Sequence, residues 1–253
     1  MKTNKVFDLT SGEKLKFVVY FKKTGGKREH LGILELNYNE LDISDKENRG
    51  KININLKIDS KYKAVNSHMT GFEIIDTEFM NIIKGNNVIK DAKSTVHQII
   101  KFDPSNNKIS IDETLKWHNQ KNEKPITNTF RLGPPQMYDH VSLLYKIRSL
   151  DLKQSEIVSL AVLYKYKLYP ILVEYQYNEN IIFNGSEMQC RVYGLRSNKG
   201  ELPPLRDYFQ LKSARIWISN TRNRLPVRIE IHTQKGEMIA DLNHFSKPGK
   251  KTS

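Results

Sequence analysis

Hydrophobic and polar side chains alternate with a period of two along most of this chain. The clearest run is 215–242. Ile216 and Ile218 alternate there with Arg215, Trp217 and Ser219, and Val227, Ile229 and Ile231 alternate with Arg228, Glu230 and His232. Met238, Ala240 and Leu242 follow the pair Lys235-Gly236. A period of two sends successive side chains to opposite faces of a strand, so this run predicts three antiparallel strands with one buried and one wet face. Residues 220–223 and Lys235-Gly236 supply the turns.

The same rhythm predicts strands over 14–21 and 31–38, joined by a Gly25-Gly26 turn, with Leu34, Leu36 and Tyr38 inward. Residues 51–59 alternate without a fault, Ile52, Ile54, Leu56 and Ile58 against Lys51, Asn53, Asn55, Lys57 and Asp59, and 61–70 is the expected partner strand. Further strands are predicted over 94–102 and 108–117, with a turn at 103–107, then 127–132, 157–167, 169–177 and 188–195. Asn178-Glu179-Asn180 and Asn184-Gly185 read as turns. Residues 71–92 read as a mix of short strand and turn, because Phe72, Ile75, Phe79 and Ile82 are spaced as on a helix among many β-branched residues. One helix is predicted, over 138–150. Asp139 can cap it, and Val141, Leu144, Tyr145, Ile147 and Arg148 fall on one face.

About a dozen strands and one helix predict a mainly β fold: a single antiparallel, strongly curved sheet or partial barrel, with the helix packed in its concavity. The organisation expected is a flexible N-terminus over 1–10, one β domain over 11–245 and a basic disordered tail over 246–253. A chain of 253 residues can bury a substantial core as one domain.

Charge narrows the partners. Lys and Arg number 41 against 28 Asp and Glu, a net charge of +13, which favours anionic partners such as lipid head groups, acidic glycans or nucleic acid. No apolar run is long enough for a transmembrane helix. The N-terminus lacks an apolar leader segment, which fits either a cytoplasmic protein or a mature secreted domain that has lost its leader. The single cysteine, Cys190, excludes an internal disulfide and reads as a small core residue on a strand.

Catalytic chemistry finds little support. The seven histidines show no metal-ligand spacing. There is no nucleophile elbow and no phosphate-cradling loop. Carboxylate pairs such as Asp112-Glu113 or Asp76 with Glu78 could do acid–base work only if buried together. No metal, no cofactor and no enzymatic activity are expected. The best candidate for binding is an arginine cluster, Arg148, Arg215, Arg222, Arg224 and Arg228, with Trp217 and with Tyr138 and Asp139 at the helix start. Arginine forks grip carboxylate or phosphate at two points. The competing reading is structural: Arg224 bonding backbone carbonyls or Asp139, and Arg148 anchoring the helix to the sheet. Tyr164, Tyr166, Tyr169, Tyr175 and Tyr177 interleave with Lys165 and Lys167, as on strands that stack bases, but equally as in cross-strand packing.

Three stretches resemble one known family. Ile216-Trp217-Ile218-Ser219, then Arg224-Leu225-Pro226-Val227-Arg228-Ile229 and Gly236-Glu237 with Leu242, are similar to the C-terminal signature of the bacterial domain-of-unknown-function family 3108. Tyr138-Asp139 with Ser142-Leu143-Leu144-Tyr145 and Ile147-Arg148-Ser149-Leu150 resembles its central motif. Gly12-Glu13-Lys14-Leu15 and the strand that follows resemble its first strand. His140 stands where proline is usual, Asn220-Thr221 where an acidic turn is usual, and 71–130 matches nothing in particular. The resemblance implies a secreted or periplasmic, mostly β protein without established activity, and carries over no catalytic residue. The function expected is therefore a non-catalytic cell-envelope protein binding an apolar or anionic component: lipid, lipopolysaccharide or glycan. A scaffold subunit with protein partners is the alternative, and a cytoplasmic nucleic-acid binder ranks third.

Overall fold

The computed structural model describes residues 9–41, 49–59, 66–103, 106, 108–120, 123–131, 137–164, 167–197, 202 and 211–247. The strands are β1 (Glu13–Lys23), β2 (Arg28–Glu40), β3 (Arg49–Ile58), β4 (Ser67–Asp76), β5 (Ile82–Asp91), β6 (Ser94–Asp103) and β7 (Lys108–Trp117). There follow β8 (Glu123–Arg131), helix α1 (His140–Ser149), β9 (Ile157–Tyr164), β10 (Lys167–Phe183), β11 (Ser186–Ser197), β12 (Leu211–Ser219), β13 (Pro226–Thr233) and β14 (Gly236–Ser246). They form one antiparallel sheet in the order β8-β7-β6-β5-β4-β3-β2-β1-β14-β13-β12-β11-β10-β9, not closed into a barrel. The mainly β class and the lone helix among the described residues agree with the hydrophobic pattern.

The chain divides into two compact units. Unit 1 comprises residues 1–9, 18–30 and 136–243, and unit 2 comprises 10–17, 31–135 and 244–253. In unit 1, α1 lies on the sheet face that carries Tyr193. The Tyr193 hydroxyl donates to the Leu150 carbonyl at 2.9 Å. Asp139 starts the helix, accepting from the backbone N–H of Val141 at 3.1 Å and of Ser142 at 2.8 Å, while the Ser142 hydroxyl accepts from Asp139 N–H at 2.9 Å. This reciprocal cap satisfies donors that a helix start leaves open and is worth about 1 kcal/mol. Leu143, Leu144, Tyr145, Ile147 and Arg148 are buried beneath the helix.

In unit 2, β2 to β8 form a meander of neighbouring hairpins. Its core face carries Leu36 and Tyr38 of β2, Ile52 and Ile54 of β3, Ile75 of β4, Ile100 of β6, and Ile109 and Ile111 of β7, all buried. The turns are set by aspartates. Asp76 Oδ1 accepts from the backbone N–H of Glu78 and Phe79, and Asp91 Oδ1 accepts from those of Lys93 and Ser94.

Several expectations need correction. Residues 71–92 are two full strands around a turn at 77–80, not short strand mixed with turn. The helical spacing of Phe72, Ile75, Phe79 and Ile82 arises from a strand, an aspartate-closed turn and a second strand read as one run. Asn178-Glu179-Asn180 is not a turn: β10 continues through it, paired to β11 as far as Phe183, because the reversal is made by Asn184-Gly185, both at positive φ. A bulge between Tyr175 and Tyr177 sends Tyr177 to the face opposite Tyr175. Trp217 is not on a wet face but 3% exposed, and on β14 Ile239 is more deeply buried than Met238 or Ala240. Both faces of this part of the sheet are covered, so strict alternation fails there. Residues 61–65, most of the turn at 103–107, Lys165 and Tyr166 lie outside the described residues, as do 1–8 of the expected flexible start and 248–253 of the expected tail.

Candidate functional site

The tertiary structure divides the arginine cluster. On the helix side of unit 1, Arg148 is fully buried and its Nε and Nη2 donate to the carbonyls of Arg224 and Asn223, each at 3.0 Å. Arg224 answers by donating to the carbonyls of Arg148 and Leu150, and to the Tyr193 hydroxyl at 3.0 Å. Each guanidinium thus binds the backbone at the other's position, locking the end of α1 to the β12–β13 turn. Arg224 itself takes a positive φ of 46°, a conformation that this clasp holds in place. Arg191 adds a third tie, donating to Asp151 and to the Leu152 carbonyl. Tyr138 is buried and bridges Val162 in parallel, and Asp139 is spent on the helix cap. His140 follows the cap with its ring edge-on to Tyr164, its Nε2 buried without a hydrogen-bond partner among the described residues. Burial holds the imidazole below its ordinary titration range, with Asp139 opposing weakly.

Arg215, Trp217 and Arg228 occupy the opposite face, as the β12–β13 register requires. Both guanidiniums stack near the Trp217 ring, at 5.4 Å and 5.9 Å from its centre. Arg215 pairs with Glu230 at 3.0 Å, Arg228 with Asp241 at 2.5 Å, and the indole N–H donates to Glu179 at 2.8 Å. Arg222 is exposed on the turn. The eight candidate residues therefore fall into a helix clasp (Arg148, Arg224), the helix start (Tyr138, Asp139), a neutralised aromatic patch (Arg215, Trp217, Arg228) and one surface arginine, Arg222.

A different arrangement appears in unit 2, where the pattern had singled out only strands. The registers from β2 to β8 align Leu34, Leu56, Met69, Ile89, Val96 and Leu115 in one row across six neighbouring strands, and Lys124 of β8 continues it. All six apolar side chains are half-buried and Lys124 is exposed. At roughly 4.8 Å between strands the apolar row runs about 24 Å. One step inward along the strands the face turns polar: Asn87, Gln98 and Glu113 stand in a second row, with Gln98 Nε2 donating to Glu113 Oε1 at 2.6 Å. Lys57, His68, Lys90 and Lys116, each next to a row residue in sequence, are exposed on the other face near the same strand ends. The signal was in the sequence as Leu56-Lys57, Ile89-Lys90 and Leu115-Lys116, but only the registers bring these pairs side by side. Among the described residues no group of three His, Cys, Asp or Glu is placed to hold a metal.

A family model described as "Protein of unknown function (DUF3108)" matches residues 74–243. The chain belongs to this family. The match takes in 74–130 and leaves out the first strand at 12–21. No curated protein matches the DUF3108 chain. Among solved structures, a β-barrel-like protein of the domain of unknown function DUF1849 from Brucella abortus aligns with a TM-score of 0.54 at 8% identity, covering 94% of this chain and 98% of that one. That likeness concerns the fold alone. A Bacteroides fragilis protein with a YmcC-like fold aligns at a TM-score of 0.39 and 10% identity, covering 95% and 98% of the two chains, too loosely to carry an argument. None of these relatives indicates a catalytic function.

Proposed function

We propose that this DUF3108 protein is a non-catalytic binding protein of the bacterial cell envelope, and that it holds the acyl chain of an anionic lipid along the row Leu34–Leu56–Met69–Ile89–Val96–Leu115, with the head group at Lys124. The observation that carries this reading is the row itself: six half-buried aliphatic side chains, one per strand, ending on an exposed lysine. Partly exposed apolar surface in one continuous line favours an apolar occupant, at roughly 25 cal/mol per Å² of area removed from water. Lys124, which continues the row on the same face, suits an anionic head group, in keeping with the net charge of +13. The envelope location rests on what the family resemblance implies, and fractionation of cells carrying the natural gene tests it.

Titration of the purified protein with octadecanoic acid, followed by calorimetry, tests the binding. Saturable binding is expected. Ile89→Glu puts a charge in the middle of the row and should weaken it at least about tenfold, whereas Lys124→Glu should weaken it about threefold to tenfold. Ile182→Glu, on the exposed end of the β10–β11 hairpin, should leave it unchanged. Absence of saturable binding, or equal loss in all three variants, would remove the proposal.

A further inference from the structure

Asn87 stands out on the core face of unit 2. It is 3% exposed, and its Oδ1 has no hydrogen-bond partner among the described residues. Its neighbour across β4 is Gly71, and the oxygen lies where a Gly71 side chain would be, 2.2 Å from the position of an added Cβ. The space is thus filled, but filled by an amide where an apolar side chain would do so without cost. A buried acceptor without a donor is destabilising, because the water it gave up is not replaced. Its cross-strand neighbour Gln98 donates from its amide to Glu113, and no group among the described residues donates to Asn87 Oδ1. Asn87 lies one step inward from Ile89, the fourth member of the apolar row, and its strand β5 is three strands from that of Lys124, about 14 Å away.

We infer that Asn87 Oδ1 accepts a hydrogen bond from a donor carried midway along the ligand's acyl chain, so that the ligand class is a mid-chain hydroxylated fatty acid or lipid. This inference rests on the acyl-chain reading of the row. The hydroxyl supplies the donor that the polar row lacks, and the acceptors Asn87, Gln98 and Glu113 suit a donating group better than another acceptor. A saturated chain would leave Asn87 unsatisfied, and a hydroxyl next to the head group would sit beside Lys124 and not beside Asn87.

The test compares three fatty acids of one length on the intact protein by calorimetry: unsubstituted, hydroxylated on the β carbon, and hydroxylated at mid-chain. The mid-chain hydroxy acid should bind about tenfold more tightly than the other two. In Asn87→Leu, which keeps the number and branching of the side-chain heavy atoms and removes the acceptor, that preference should vanish while the unsubstituted acid binds as before or more tightly. Equal affinity of the wild-type protein for all three acids overturns the role of Asn87 and leaves the row's reading standing. Preference for the β-hydroxy acid overturns the placement of the chain relative to Lys124. Failure of all three to bind overturns both readings together. The wild-type comparison decides the matter even if Asn87→Leu does not fold.

Discussion

At the scale of single residues, environment decides what each polar side chain can do. His140 carries an ordinary ionisable group into a site where Nε2 is buried without a hydrogen-bond partner among the described residues, directly after a helix cap whose N–H groups also disfavour a cation. Its folded-state pKa lies below the unfolded value near 6.5. Above that value both states hold it neutral and the contribution to stability is complete. As the pH falls below about 6.5 the unfolded chain takes up a proton that the folded chain refuses, so stability declines. Chemical denaturation at a series of pH values should show this decline as the pH falls below about 6.5, and His140→Phe should flatten it. An unchanged slope in the variant would mean that the ring is solvated. Trp217 shows the same dependence on surroundings. Its position in the alternation said wet, yet two guanidiniums and Glu179 lie against it.

At the scale of elements, the helix is held less by its own propensity than by what receives it. The cap at Asp139 was legible from the sequence, because aspartate followed at the third position by serine is a local device. The clasp between Arg148 and Arg224 was legible only as an alternative, since their partners are backbone carbonyls 75 and 76 residues away. Replacing Arg148 by Met keeps the apolar stem but deletes two charge-assisted hydrogen bonds and leaves two carbonyls without these donors. The expected loss is about 2–4 kcal/mol in denaturant unfolding followed by circular dichroism. Arg148→Lys should recover little of it, because one ammonium cannot reproduce a planar fork. A change under about 0.5 kcal/mol would show that the clasp contributes nothing. Strand lengths follow the same division. Asn-Gly at 184–185 announced its turn, whereas the extension of β10 through 178–180 depended on pairing with β11.

At the scale of the whole molecule, strand order brings the two ends of the chain together: β14 lies between β13 and β1, with Lys22 and Glu237 3.7 Å apart. Unit 1 therefore closes only when residues more than two hundred positions apart have met, and partial opening is the natural route to exposing its interior. Cys190 reports on this. It sits on β11 between β10 and β12, fully buried, its thiol pushed up to about 11 by burial and by Glu179. Alkylating reagents at neutral pH should leave it untouched in the folded protein and label it in step with unfolding as denaturant rises. Prompt labelling without denaturant would contradict the packing of these strands. The sequence alone determined the β class, most strand positions, the capped helix and the excess of positive charge, because alternation, capping and net charge are local or additive properties. Only the tertiary structure decided which strands are neighbours and in what register. That register split the arginines between two faces, buried Trp217, and assembled six apolar side chains, Lys124 and an Asn87 Oδ1 without a hydrogen-bond partner among the described residues on one face, since a row running across strands is written in pairings and not in any stretch of chain.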